Sequence, residues 1–588
     1  MVNDNSIEWE LPSAVLPRKD SLPEHLPPVV ARVLVNRGID TAAKLQLFLH
    51  PPHRLPYDPI RLPGMDRALQ RLHQAINRGE KVGIFGDFDV DGVTGTAIVA
   101  EGLRGMGLPV FPYLPHRVNE GHGLSNVAVQ RLVDQGISLI ITVDCGTTAL
   151  EEVAHARGLG ADIIVTDHHV PHDRLPEAVA VVNPRLPEGN YPFLGLSGAG
   201  LAFKLVQGLY QFYGQPWDRS LMELAALGTI ADLVPLVDEN RFLVQQGLVA
   251  LAKTGRPGLQ ALYRRAGVQP ESLSAETVAF QIAPRLNSPG RMEHAGDSYR
   301  LLTTRSEAEA EELAGKLEGL NQQRRDLTEE AFGVAVQRVR QHPTLPPILL
   351  IADPSFAPGI SGLVAGRLVE TFRRPAVVMA LGDDRAMASG RSIPEFNIVE
   401  AFTACGHLLT RYGGHAQAAG FTLPAKNLPL LEAELTAIAE NALGSRDLRP
   451  TLSIDAEVKI ADLLGEPLGW LSSLEPFGVA NPRPVFLTRR VQVLEAQGVG
   501  KSGQHLKLRV REGNSPDPDP DRDGPFGQYT ALAFNQAHKW VANTPYLDLV
   551  YTLSASPQPG DGDVTLKVLD FRPSRADSSP HGPRLTAV

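Results

Sequence analysis

Three aspartates at alternate positions, Asp87, Asp89 and Asp91, sit in the segment Gly-Asp-Phe-Asp-Val-Asp-Gly at 86–92. Carboxylates this close repel one another, and burying them unpaired is costly. A divalent cation removes both costs; for such a cluster standing alone, a solvated Asp-rich turn is the alternative. Three further segments end in the same kind of residue. Ser138-Leu-Ile-Ile-Thr-Val runs into Asp144, Asp162-Ile-Ile-Val-Thr into Asp167, His168 and His169, and Leu227-Gly-Thr-Ile-Ala into Asp232. Carboxylates and one or two imidazoles brought together would give mixed oxygen and nitrogen ligation, suited to Mn2+ or Mg2+. Two such ions about 3.5–4 Å apart are typical of phosphoester hydrolysis.

The elements that must deliver these side chains are legible around them. The mostly apolar run from Val82 to Phe85, closed by a Gly/Asp turn, reads as a buried strand feeding a loop. From 76 to 265 strand, glycine turn and helix alternate, with strands expected near 82–86, 109–114, 138–144, 162–167 and 179–183. Such alternation implies α/β architecture, a parallel sheet covered on both faces. Ligands of open parallel sheets gather beyond the carboxyl ends of the strands, where these acids and histidines fall. The segment before Asp232 reads equally as the end of a strand or of a helix.

Beyond this catalytic domain the pattern changes several times. Residues 1–75 alternate short amphipathic stretches with proline-rich turns and are expected to form a helical lead-in packed on the next domain. Within a connecting region, 266–345, Ser306-Glu-Ala-Glu309 is a capping box. The apolar positions Leu313, Leu317, Leu320, Leu327, Ala331, Ala335 and Val339 then predict one helix as far as His342, about 50 Å long. A connector between two lobes of one chain accounts for it more simply than dimerisation, so a monomer is expected. A second α/β unit follows at 346–447, and 448–573 breaks into short alternating segments that suit a small closed β-barrel. The acidic, proline-rich insert at 513–524 lacks EF-hand ligand spacing and is expected to be a disordered loop, as is the tail, 574–588.

Composition narrows the function classes. The 588 residues exceed what one core normally serves. A formal net charge of −10 argues against generic polyanion binding, so contact with nucleic acid would have to use local basic patches. Two cysteines, Cys145 and Cys405, cannot build a disulfide framework. Cys145, beside Asp144, reads either as a small buried residue at a strand end or as a ligand or nucleophile. The N-terminus lacks a signal-peptide pattern and no apolar run is long enough to span a membrane, so a cytoplasmic location is expected.

The motifs taken in order resemble a known family. Asp167-His168-His169, with the triple-Asp segment before it and Gly228-Thr-Ile-Ala-Asp232 after it, is similar to the four-motif signature of the DHH phosphoesterase superfamily. Pro115-His116-Arg117, Ala283-Pro-Arg-Leu-Asn287, Ser389-Gly-Arg-Ser-Ile-Pro394, Gly413-Gly-His415 and Leu474-Glu-Pro-Phe-Gly478 resemble motifs of the RecJ single-strand DNA exonucleases, in the same order. The resemblance covers roughly residues 20–570.

It implies a DHH catalytic domain joined by the long helix to a DHHA1 lobe, followed by an OB-fold. It also implies two Mn2+ or Mg2+ ions. Asp89 and Asp91 would divide between them, Asp144 would bridge them, and His168 with Asp232 would complete the second. Asp87 would be a further ligand, standing in for a histidine that other branches carry where this chain has Phe85. His169 would face the scissile phosphate, and Asp167 would orient His168. Arg117, Arg285, Ser389, Arg391, Gly413, Gly414 and His415 would hold DNA phosphates; for Arg285 and Arg291 a salt bridge is the alternative. Lys501, His505, Lys507 and Arg509 would be barrel contacts, although such an alternation also marks an ordinary solvated strand face. The implied activity is 5′-to-3′ hydrolysis of single-stranded DNA in recombination and repair, with a helicase and a single-strand DNA-binding protein as partners. Phe356-Ala357 replaces the Trp-His usual in the family, which puts one polar contact in doubt.

Overall fold

Five parallel strands, Val110–Tyr113, Val82–Gly86, Leu139–Val143, Asp162–Thr166 and Ala180–Val182, pair in that order in the computed structural model. Each lies where the sequence predicts a strand. The structure describes residues 7–12, 22–23, 25–49, 57–444, 446–500, 502–512, 527–555 and 564–574. The insert at 513–524 and the tail beyond 574, both expected to be disordered, lie outside the described residues. The described chain divides into two compact units. One comprises 53–448 with 478–480, and the other 1–52, 449–477 and 481–588.

Register explains why the acidic residues meet in the larger unit. Gly86 pairs with Val143 and Val143 with Thr166, so adjacent strands stop at the same level. The next amides continue the ladder: Asp87 N donates to Val143 O, Asp144 N to Thr166 O and Asp167 N to Val182 O. Three carboxylates therefore emerge side by side at the carboxyl edge. Both sheet faces are covered. Helices Val90–Gly105, Gly198–Phe212 and Leu221–Ala231 bury their apolar sides with Ile84, Leu139, Ile141 and Ile164. Helices Asn126–Asp134 and Leu150–Gly158 cover Phe85, Ile140, Ile163 and Val165 on the other face.

The long helix, Glu307–Gln341, has the expected bounds. Ser306 caps it by accepting from Glu309 N, but the return arm of the box is absent: the Glu309 carboxylate is taken by Thr304 and Arg300. Ala310, Leu313, Ala314 and Leu317 sit in the catalytic core, whereas Ala331, Ala335 and Val339 sit in that of the second lobe. One helix thus belongs to two cores. The second lobe is a mixed sheet in the order Arg411–His415, Ala418–Pro424, Arg385–Arg391, Ala376–Leu381, Leu349–Asp353, with only the last pair parallel. Phe356, in place of the expected tryptophan, is buried in the apolar core of that lobe.

The smaller unit holds the barrel. Strands Phe486–Val499, His505–Glu512, Gln528–Ala533, Val564–Pro573 and Tyr546–Ala555 pair in turn, and the last returns to the first, closing the sheet. Bulges at Thr488/Val491, Val493/Glu495 and Val550/Tyr551 supply the bends that closure needs.

The N-terminal expectation needs correction. Helices Pro28–Asn36 and Ala42–Leu49 pack with the barrel, burying Val30, Val33 and Leu34 with Leu463, Leu471 and Leu474. Strand Glu8–Glu10 pairs in parallel with Thr451–Ser453. Among the described residues of 1–75, only the last part joins the catalytic core, through Leu62 and then Met65, Leu69 and Leu72 of helix Met65–Arg78. An amphipathic helix shows that it has a partner, not which one, and here the partner lies more than 400 residues away along the chain.

Candidate metal centre

Asp89 caps helix Val90–Gly105: its Oδ1 accepts from Asp91 N at 3.0 Å and Gly92 N at 3.1 Å. The cap turns the chain so that Asp91, in the first turn, points back under the sheet edge. There Asp91 accepts from Gly198 N at 2.6 Å and Ala199 N at 2.8 Å, the first amides of helix Gly198–Phe212. These leave further lone pairs on both oxygens. Asp144 has φ +62°, a left-handed conformation rare for a residue other than glycine, and the backbone is strained where the carboxylate must project. His168 follows strand Asp162–Thr166, and its Nε2 lies 3.0 Å from Asp144 Oδ1 and 3.6 Å from Asp232 Oδ2. Asp232 is delivered by a helix, closing Leu221–Ala231 at its C-terminus.

Three sets of ligand atoms each lie within 4.8 Å of one another: Asp87, Asp89 and Asp144; Asp91, His168 and Asp232; Asp144, His168 and His169. Asp144 belongs to two of them. The donors fit hard divalent cations, being mostly carboxylate oxygens with imidazole nitrogen added. Buried Asp87 Oδ1 and Asp144 Oδ1 have no hydrogen-bond partner. Asp144 and His168 face each other without a well-directed hydrogen bond, as two ligands aimed at a common ion would.

The electrostatics carry the same message. Burial and neighbouring carboxylates raise Asp89, Asp91, Asp144 and Asp232 together, Asp91 to about 7 and Asp232 to about 9. Asp87 goes the other way: burial works upward, but the neighbouring His122, the Phe88 amide and the Arg117 charge outweigh it. Burial pushes His168 down to about 3, which keeps its imidazole neutral, the form that ligates metal. Carboxylates held above their ordinary value of about 3.9 in the folded state destabilise the fold increasingly as pH rises through that window. Cation charge reverses this penalty. Mn2+ binding is therefore expected to release protons near pH 7, and calorimetry in buffers of different ionisation enthalpy reads that release directly. Binding with no proton release would contradict the grouping.

One expected role is corrected. Asp167 orients His169, not His168: its Oδ1 accepts from His169 N at 3.1 Å and lies 2.7 Å from His169 Nδ1, while Oδ2 accepts from Thr147 N at 2.9 Å. An aspartate side chain turns naturally onto the amide two residues ahead, so it reaches the second histidine. Burial lowers His169, but the Asp167 bond and charge outweigh it and hold the imidazole above its usual value. Burial pushes the Cys145 thiol well up, and it sits in the apolar cluster under the sheet. That is the small-residue alternative.

Two glycines are required by crowding. A Cβ on Gly228 would come within 2.6 Å of Asp91 Oδ1 and 2.4 Å of Ala199 Cβ, and one on Gly198 within 2.5 Å of Asp144 Cβ. Gly228→Ala is expected to lower Mn2+ affinity about 10–100-fold, read by calorimetry, because it displaces a ligand without removing one.

The basic residues separate into two groups. Arg117 lies over the Phe88 ring at 4.7 Å, and its charge acts on Asp87 and Asp89. Arg291, pushed down to about 9 by burial and then by Arg117, Arg324 and Arg391, stands in the same place. Its Nη1 donates to Gly359 O, and only glycine fits at 359, where a Cβ would meet Arg291 O at 2.0 Å. Arg391 is held low by burial and by Arg117. Arg285 is elsewhere. It is ion-paired with Glu318 at 2.5 Å and donates to Gln281 O, the salt-bridge alternative.

Ser389 is half-buried on strand Arg385–Arg391, beside Arg391. His415 ends the exposed strand Arg411–His415 and stacks on His169, centroids 5.6 Å apart and planes 6° apart. Gly413 and Gly414 precede it, Gly414 with φ +138° and no room for a Cβ against Ala418 O. Outside this unit, Lys501 lies outside the described residues, and Lys507 is half-buried on its strand. Arg509 pairs with Glu495 and Gln528. His505 accepts from Asn535 N and packs edge-on to Phe534.

Three residues enter that sequence reasoning passes over or leaves undecided. Arg291 reads from sequence equally as a phosphate contact or a salt bridge. His122, mostly exposed between Gly121 and Gly123, sits 3.6 Å from Asp87 and against Phe88, and the flanking glycines are the available signal. Asn287 accepts from Val90 N, tying the connecting region to the start of the Asp-bearing helix.

Comparison with known proteins settles the family. Residues 81–229 match the DHH family N-terminal domain, 334–441 the DHHA1 domain and 454–570 the RecJ OB domain. The chain is 33% identical to the single-stranded-DNA-specific exonuclease RecJ of Salmonella typhimurium over 94% of its own length and 97% of the relative's. It belongs to the RecJ family of the DHH phosphoesterases. RecJ of Bacillus subtilis is 39% identical, over 87% of this chain, which spans 65% of that longer relative. RecJ from Thermus thermophilus, crystallised with Mn2+, superposes with a TM-score of 0.82 at 30% identity, covering 97% of this chain and 80% of that one. The same RecJ with Mg2+ gives 0.76, covering 97% and 79%. The fold, parallel-sheet domain, second lobe and OB barrel, is that of the family. Among the described residues no helix is long and apolar enough to cross a membrane.

Proposed function

We propose that this chain removes nucleotides from the 5′ end of single-stranded DNA by metal-dependent phosphodiester hydrolysis. The observation that carries the reading is the convergence, at one sheet edge, of Asp87, Asp89, Asp91, Asp144, His168 and Asp232 beside three guanidiniums. Two divalent cations, Mn2+ or Mg2+, held by those six side chains would supply the Lewis-acid charge that neutralises the phosphoryl oxygens and activates water. His169, fixed by Asp167 and kept a donor, hydrogen-bonds a scissile phosphoryl oxygen. Arg117, Arg291 and Arg391 bind the 5′-terminal phosphate, where planar guanidiniums match its oxygens. Gly413 and Gly414 let the backbone approach closely, and Ser389 adds a hydroxyl donor.

Restriction to single strands follows from how the two lobes meet. His169 stacks on His415, and Arg411 Nη2 donates to His122 O at 2.9 Å. Side chains in contact across the site leave little width for a duplex. Such an enzyme needs strands already separated, hence a helicase upstream, and meets strands coated by single-strand DNA-binding protein, in the cytoplasm and as a monomer.

Oligonucleotides labelled at the 5′ or the 3′ end, single-stranded or blunt duplex, test this with Mn2+, Mg2+ and chelator. Metal-dependent release of the 5′ label first, from single strands only, is expected. Release from the 3′ end, or efficient digestion of blunt duplex, would overturn the polarity or the strand preference; cleavage of dimers and trimers alone would indicate a short-oligonucleotide hydrolase.

A further inference from the structure

Asn240 is fully buried in the first turn of helix Asp238–Leu251, and its amide joins two segments that build the metal centre. Its Nδ2 donates to Gly195 O at 2.6 Å and to Pro235 O at 3.0 Å. Turned over, the amide would set its oxygen against two carbonyl oxygens, so its orientation is fixed. Its buried Oδ1 has no hydrogen-bond partner among the described residues, so the side chain is held by its donors alone. Gly195 leads into Gly198 and Ala199, whose amides hold Asp91, and Pro235 lies three residues beyond Asp232.

A second tie lies inside the first. Ser197 Oγ caps helix Gly198–Phe212 by accepting from Gly200 N, and it lies 3.1 Å from Thr229 Oγ1, both residues being fully buried. Thr229 stands one turn before Asp232 on helix Leu221–Ala231. Glu239 anchors the first tie, accepting from Lys204 Nζ at 2.6 Å and from Tyr191 OH at 2.5 Å. Both ties span one gap, from the segment that holds Asp91 to the segment that delivers Asp232. Ligand atoms of Asp91, Asp232 and His168 lie within 4.8 Å of one another across that gap. Asp87 and Asp89 stand apart from both ties, Asp87 beside His122 and Asp89 on the amides of its own helix.

We propose that Asn240, with the Ser197–Thr229 pair, is a positioning brace that sets the span between Asp91 and Asp232 and so governs the affinity of one cation of the two, a role that rests on the ligand assignment above. Two carboxylates on separate elements share an ion well only when those elements are held at the right distance. Contacts behind the ligands typically carry about 10–100-fold in metal affinity. A residue that served only the fold would lower the melting temperature and treat both cations alike. That difference is measurable.

Calorimetric titration of the metal-free protein with Mn2+ makes the test. In Asn240→Ala one Mn2+ should bind about 10–100-fold more weakly and the other within a few-fold of wild type. Thr229→Val keeps the shape, unties only the hydroxyl pair and should weaken the same ion about tenfold, so the brace is tested even where Asn240→Ala fails to fold. Thr254→Val is the control. It removes the buried bond from Thr254 Oγ1 to Glu223 Oε2, at the other end of the helix that delivers Asp232, and should cost melting temperature without moving either ion. Crystals of Thr229→Val grown at limiting Mn2+ should lose the anomalous peak beside Asp232 first. In the exonuclease assay, excess Mn2+ should return kcat of Asn240→Ala to near wild type, because the ligands themselves remain. Equal weakening of both ions, weakening of neither, the same weakening in Thr254→Val, or loss of the peak beside Asp87 and Asp89 instead would overturn the brace. A wild type that binds a single Mn2+ would count against the paired centre alone. The brace would then stand only if Asn240→Ala or Thr229→Val weakened that ion more than Thr254→Val does.

Discussion

Asp144→Asn is expected to lower kcat by about 10³–10⁴-fold and, in the same molecule, to raise the melting temperature of the metal-free protein. Asp144 stands in two of the three ligand groupings, one with Asp87 and Asp89 and one with His168 and His169, so its loss removes charge from the middle of the cluster. Several kcal/mol of transition-state stabilisation is a fair measure of a disrupted metal site, and each 1.4 kcal/mol or so is tenfold in rate. Asparagine is the informative substitution because it keeps the volume and tolerates the left-handed backbone that Asp144 adopts, whereas alanine would add strain of its own. The stability gain follows from linkage. Burial and the surrounding carboxylates hold Asp144 well above its ordinary value. The folded metal-free protein therefore retains a proton that the unfolded chain gives up, and stability falls as pH rises above about 4. An amide never makes that trade. The variant should melt several degrees above wild type at about pH 8 and level with it near pH 4, while losing most of the stabilisation that Mn2+ gives wild type. A variant less stable than wild type at both pH values would show that Asp144 serves the fold more than the site.

His169→Gln is expected to cost about 10²–10³-fold in kcat while leaving Mn2+ affinity within a few-fold of wild type. The magnitude is that of removing one directed donor from a developing anion. Asp167→Asn should lose nearly as much, because the carboxylate that fixes His169 and keeps it protonated is gone. The double variant should be little worse than either single one, since residues acting as a unit are not additive. Single-turnover rates and calorimetric Mn2+ binding for all four proteins check this. Losses that multiply would separate the two residues, and a large drop in Mn2+ affinity for His169→Gln would make His169 a ligand, as its place near Asp144 and His168 permits.

The chain announces its metal site more openly than its phosphate contacts. Each short apolar run ends directly in an acid, and parallel register does the rest, so Asp87, Asp144 and Asp167 are legible from the sequence alone. The long helix was legible for a similar reason, its apolar positions being local. Arg285 and Arg291 show the limit. They lie six residues apart with similar neighbours, and only the fold reveals that Glu318 neutralises the first while the second faces Arg117 and Arg391. The N-terminal helices show it again, their partners lying at the far end of the chain. The Asp167 turn onto His169 could have been anticipated from its spacing. The ambiguity at Asp232 could not, since a buried apolar run of that length suits strand and helix equally.

One cluster of carboxylates and an imidazole is expected to hold a pair of cations. Anomalous scattering at the manganese edge, from crystals grown with Mn2+, tests it most directly. Two peaks about 3.5–4 Å apart are expected, Asp144 between them, Asp87 and Asp89 on one side, Asp91, His168 and Asp232 on the other. A single peak, or peaks away from Asp144, would contradict the two-cation centre and the mechanism built on it.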